Sequence, residues 1–180
     1  WFEKLPLFGK GIVVTRPEAQ AEGLGELLAA QGARVIFFPT IRVEPPADWS
    51  AVDEAIGRIE TYSWIVFTSA NGVDFFLKRL KEQGRDLRDL KGVRIATIGP
   101  ATAAKIGTLG LRVDLVPGRY LSEGVVEAFA GIDVAGKRVF LPRAEEARDV
   151  IPEGLRKRGA TVDVATVYRT VPSDRNPDEI

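Results

Sequence analysis

Short apolar runs alternate along this chain with longer stretches that mix apolar and charged positions. The runs at 12–15, 34–38, 64–68, 94–98, 113–116, 138–141 and 161–167 are dense in Val, Ile and Phe. Runs without polar alternation read as strands buried on both faces, the environment of a parallel sheet. Between them, stretches near 17–31, 50–60, 70–83, 100–108, 122–129 and 146–158 carry helical spacing. Gly32, Gly110 and Gly159 each follow such a stretch, where a helix commonly ends. Strand and helix in repeated alternation predict an α/β fold built on parallel sheets.

An internal repeat refines this expectation. Gly9-Lys10-Gly11-Ile12-Val13-Val14-Thr15-Arg16 is echoed by Gly136-Lys137-Arg138-Val139-Phe140-Leu141-Pro142-Arg143. The register holds through the next strand, where Gly32-Ala33-Arg34-Val35 meets Gly159-Ala160-Thr161-Val162. One β-α-β unit is therefore used twice. We expect a tail or linker at 1–10 and the opening β-α-β part of a split domain at 11–44. An inserted, complete five-stranded domain follows at 45–168, and 169–180 forms the return to the first. The Pro-bounded crossings at 39–45 and 167–172 could pair as a two-stranded hinge. A single seven-stranded sheet is the alternative. The remaining strands of the split domain are expected after Ile180.

Ligands of open parallel sheets bind beyond the carboxyl ends of the strands, where helix amino ends also point. Small polar residues recur at those positions: Thr15-Arg16-Pro17, Thr68-Ser69-Ala70-Asn71, Gly99-Pro100-Ala101-Thr102, Ser122 and Pro142-Arg143. Such turns expose backbone N–H groups beside the positive end of a helix dipole, which suits carboxylates or phosphates. Arg16 and Arg143 could add charge. Singly, each residue reads first as a cap or as a solvated or Glu-paired arginine. Together they point to an anion site in a cleft between two lobes.

Composition narrows the chemistry. Hydrophobic residues make up 45% and charged residues 28%, enough for a core, and Lys+Arg and Asp+Glu balance at 25 each. No long single-sign run appears, so neither a nucleic-acid nor a membrane-surface partner is expected. No apolar stretch is long enough to span a bilayer, and no signal peptide is read. The chain has 0 Cys and 0 His, which removes disulfides, the usual zinc ligand sets and Ser-His or Cys-His pairs. Acid–base work then falls to Tyr, Lys, Asp, Glu or water. Absent cysteine fits a cytoplasmic protein. The chain has 0 Met and starts at Trp1, which reads as part of something longer. Neither G-x-G-x-x-G nor a P-loop is present, although a flavin could bind without a sharp signature.

Five segments then carry a resemblance. Val13-Val14-Thr15-Arg16-Pro17, Trp64-Ile65-Val66-Phe67-Thr68-Ser69-Ala70-Asn71, Ile98-Gly99-Pro100-Ala101-Thr102-Ala103, Leu141-Pro142-Arg143 and Val167-Tyr168-Arg169-Thr170 come in an order and spacing that resembles uroporphyrinogen-III synthase. The resemblance implies two flavodoxin-like parallel-sheet domains joined by a two-stranded linker, here one complete and one only partly present. It implies closure of hydroxymethylbilane to uroporphyrinogen III, with loss of water and inversion of the last ring, using no cofactor. It also implies carboxylate contacts at Ser69, Ala70, Asn71, Pro100, Ala101, Thr102 and Ser122, with weaker candidates at Thr15 and Arg16. Tyr168 is the implied catalytic group, its phenol assisting departure of the hydroxyl; the bland reading is a strand residue packing the hinge. A phenol is a weak acid, so folding the substrate and stabilising its cation would supply much of the rate. Residues 1–10 resemble a junction to an upstream uroporphyrinogen-III methyltransferase. A cytoplasmic monomer is expected, fused to that enzyme or working beside the upstream deaminase. Rival readings are a two-lobed binding module for a small polycarboxylate and a flavodoxin-like electron carrier.

Overall fold

A computed structural model of the chain describes residues 2–174. Among these, β1 (Gly11–Val14), α1 (Glu18–Ala30), β2 (Arg34–Phe37) and β3 (Ile41–Glu44) precede α2 (Ser50–Gly57) and β4 (Trp64–Phe67). Next come α3 (Ala70–Glu82), β5 (Arg94–Thr97), α4 (Pro100–Gly107), α5 (Ser122–Ala128), β6 (Arg138–Ala144), α6 (Val150–Arg156) and β7 (Thr161–Pro172). The chain divides into two compact units: one holds residues before Pro45 together with those from Thr170 onward, the other Pro45–Arg169.

In the first unit β1 and β2 pair in parallel, from Gly11 opposite Arg34 to Val14 opposite Phe37. α1 lies close on this pair, since a Cβ at Gly25 would fall 2.3 Å from the Phe37 ring. Gly32, just past the helix, takes φ of +91°, a left-handed value that closes the turn into β2. Val13, Leu27 and Phe37 stay exposed.

The second unit carries the order β7-β6-β4-β5, all parallel. Beyond β5 a single bridge joins Ala96 to Leu115. Residues 113–116 were expected to form a full strand, and the structure shows why they stop short. The Asp114 carboxylate accepts the Ile95 N–H at 2.9 Å, taking a donor that a ladder would use. β6 runs three residues past the expected Leu141, and the helix expected from 146 starts at Val150 instead. Arg143 holds the intervening turn, donating to the Arg148 carbonyl at 3.0 Å and to Asp149 at 2.7 Å.

Strand alternation sorts the core into two layers. Trp64, Val66, Val139 and Leu141 cluster with Val125 and Phe129 on one side and with Ile151 and Leu155 of α6. Phe67 and Phe140 meet Phe76 of α3 at ring distances of 5.6 and 5.8 Å. Each such fully buried side chain stabilises the fold by about 1.5–3 kcal/mol. Asp53 of α2 receives Arg79 of α3 through two bonds of 2.7 and 2.6 Å, fixing those helices side by side. From β4 the chain winds outward to β5 and Leu115; from β6 it winds the other way to β7. The reversal lies between β6 and β4, the position where open α/β sheets hold ligands.

Candidate functional site

At that reversal point three segments converge. β4 is buried along its whole length and delivers Thr68 and Ser69 to the start of α3. Ser69 is the N-cap in extended conformation, and its Oγ accepts the Gly72 N–H at 2.9 Å. The same Oγ lies 3.0 Å from the Tyr168 hydroxyl, across 99 residues of sequence. Tyr168 comes from β7. A register shift in β6 between Arg143 and Ala144 sets Ala144 opposite it, and the Glu145 N–H donates to its carbonyl at 3.0 Å. Its ring is 8% exposed and stacks on Phe75 of α3, with centroids 5.8 Å apart and planes at 24°.

Gly72 explains how α3 approaches so closely. A Cβ there would stand 3.2 Å from Ser69 Oγ, 3.6 Å from the Pro142 carbonyl and 4.0 Å from the Tyr168 ring. The two hydroxyls therefore sit against the amino end of a 13-residue helix, whose dipole makes the local potential positive. Such an arrangement can hold a developing negative charge or place a proton donor.

The remaining expected residues divide between places. Ala70 and Asn71 occupy the first turn of α3, half-buried beside the pair. Pro100, Ala101 and Thr102 form the first turn of α4, at the end of the neighbouring strand β5. Pro100 and Ala101 are exposed, whereas Thr102 is 5% exposed. Ser122 is the first residue of α5 and not its cap; Leu121 holds the cap position without a side-chain bond. Thr15 and Arg16 belong to the first unit, both exposed after β1, and the Thr15 carbonyl accepts the Thr40 N–H at 3.2 Å. Arg143, expected to add charge or to pair with Glu145, is instead engaged by Asp149 and the Arg148 carbonyl.

Three residues escaped the sequence reading: Gly72, Phe75 and Tyr120. Phe75 and Gly72 lie on the α3 face that also carries Ser69, so helical spacing could have linked them once Ser69 was taken as the cap. Tyr120 is 63% exposed, and its Cβ lies 3.2 Å from where Gly99 would carry one, at the start of α4. Its only advance signal is an aromatic residue just after Gly118. Among the described residues no group of three or more His, Cys, Asp or Glu could hold a metal ion. No described helix is long and apolar enough to cross a membrane.

Comparison with known proteins adds a family. A family model described as uroporphyrinogen-III synthase HemD matches residues 22–180. A uroporphyrinogen-III synthase from Synechococcus elongatus is 35% identical over 175 residues, covering 97% of this chain and 66% of that protein. The porphyrin biosynthesis protein HemD of Ruminiclostridium josui is 33% identical over 184 residues, covering 100% of this chain and 36% of its own length. Among solved structures, a mutant uroporphyrinogen III synthase from Thermus thermophilus aligns with TM-score 0.67 at 18% identity. That alignment covers 92% of this chain and 64% of the other, and it speaks for the fold.

Proposed function

This chain belongs to the uroporphyrinogen-III synthase family, and from that premise we propose that the intact protein closes hydroxymethylbilane to uroporphyrinogen III, losing water and inverting the last ring. The observation that carries the reading is the Tyr168 hydroxyl, held 3.0 Å from Ser69 where the sheet reverses its winding. The C–O bond of the hydroxymethyl group breaks with its electrons on oxygen, which takes a proton from Tyr168 and leaves as water. A cation stays on the pyrrole side and the charge on the phenol oxygen balances it. Carboxylate arms of the substrate would rest on the first turns of α3 and α4, at Ala70, Asn71, Pro100, Ala101 and Thr102, and near Ser122. Thr15 and Arg16 are candidates for further arms.

The reading includes two flavodoxin-like domains joined by a two-stranded linker, with more of the first domain supplied by the rest of the protein. On the face of β1 and β2 away from Phe37 and α1, Val13 is exposed and its register partner Ile36 only half-buried; that supports it, because an apolar sheet face left open invites cover. It also includes a cytoplasmic monomer working without a cofactor, alone, fused to a methyltransferase, or beside the deaminase that supplies its substrate. Incubating the intact protein with hydroxymethylbilane and resolving the isomers tests the reading. Type III product above the spontaneous type I is expected; type I alone would reduce the protein to a binding module.

A further inference from the structure

Ser69 bonds in two directions, and only one of them is needed to cap a helix. We infer that Ser69 is also a positioning residue for Tyr168: its hydroxyl donates to the phenol oxygen and steadies the charge that appears there as the phenol gives up its proton. The inference rests on the synthase reading and deepens it.

The chain of bonds starts at the amino end of α3. Ser69 Oγ already accepts the Gly72 N–H at 2.9 Å, which commits one lone pair. Accepting that bond polarises the hydroxyl and makes its own O–H a stronger donor. Either hydroxyl could donate across the 3.0 Å contact; with serine as the donor, the phenol proton is left free to turn toward a leaving group. The stack on Phe75 and the 8% exposure of Tyr168 keep the ring from swinging out of this line. When the proton passes to the departing hydroxyl and water leaves, the phenol oxygen becomes anionic. Its bond from Ser69 is now charge-assisted and roughly twice as strong. An interaction that strengthens only as the proton moves raises kcat and leaves substrate affinity alone.

The test uses four variants of the intact protein, each assayed for type III product and thermal midpoint. Ser69→Ala should lower kcat roughly 10- to 100-fold with KM within about twofold. It should also lower the midpoint, since the cap is lost. Ser69→Asp restores a cap acceptor but has no hydrogen to donate, so the midpoint should recover while kcat stays low. Ser69→Thr keeps both functions and should recover both. In a Tyr168→Phe background, Ser69→Ala should change kcat less than about twofold, because the group it serves is gone. The inference is overturned if Ser69→Asp matches wild-type kcat, or if Ser69→Ala costs as much without the phenol as with it. Wild-type protein that makes no type III product overturns the synthase reading itself, a result distinct from an active wild type with fully active Ser69→Ala.

Discussion

Asp163 offers a quantitative test of how the second unit is held together at the end of the sheet away from the hydroxyl pair. Its Oδ2 accepts the Tyr62 hydroxyl at 2.7 Å, Arg138 at 2.7 Å and Arg58 at 3.3 Å. Burial alone would raise its pKa, but the bonds from Arg138 and Tyr62 outweigh this and hold it below the ordinary 3.8. Asp163→Asn keeps the shape and one acceptor oxygen while removing the charge. Arg58 is already bonded to Glu54 at 2.6 Å and loses little. The loss falls on the charged bond from Arg138, worth about 1.5–3 kcal/mol, and a side chain 27% exposed argues for the middle, about 2 kcal/mol. With an m-value of about 2 kcal/mol per molar urea, the midpoint should drop by about 1 M at pH 7. Because the folded pKa is depressed, the stabilisation is complete above the unfolded value near 3.9 and is lost as pH falls through the folded value. The gap between the two proteins should therefore hold from pH 7 to about pH 5 and close below about pH 4. Urea melts followed by the fluorescence of buried Trp64 measure both. An unchanged midpoint at pH 7, or a gap that persists undiminished near pH 2, would refute the reasoning.

Two further changes probe packing. Phe140→Ala removes a fully buried ring set between Tyr62 and Phe76, with centroids 5.4 and 5.8 Å away, and should cost about 3–5 kcal/mol in urea melts. Gly124→Ala would place a Cβ 2.1 Å from the Arg119 carbonyl oxygen, so the turn into α5 must move. A loss of about 1–3 kcal/mol is expected in the same melts, and an unshifted midpoint would show that this turn yields freely.

Local pattern made the α/β class legible. The apolar runs marked β1, β2, β4, β5, β6 and β7; β4 is buried on both faces and leaves no polar positions, while β1 and β2 show the same apolar density with Val13 and Phe37 exposed. Ser69 could be read as a cap because an extended serine ahead of a helix satisfies a free N–H. Arg143 misled, since its repeat partner Arg16 is exposed while Arg143 is folded onto Asp149. Sequence proximity favoured Glu145; the turn geometry selected the other acid.

What the chain determines by itself is which segments become strands and helices, and that one β-α-β unit occurs twice. Those are local properties, set by apolar spacing and turn residues within a dozen positions. Strand order, the winding reversal between β6 and β4, and the meeting of Ser69 with Tyr168 were decided by tertiary structure. Hydrophobic attraction is non-directional, so it requires burial without naming neighbours. Only the ladder of backbone bonds and the fit of Gly72 under Pro142 and Tyr168 select which strand ends stand together.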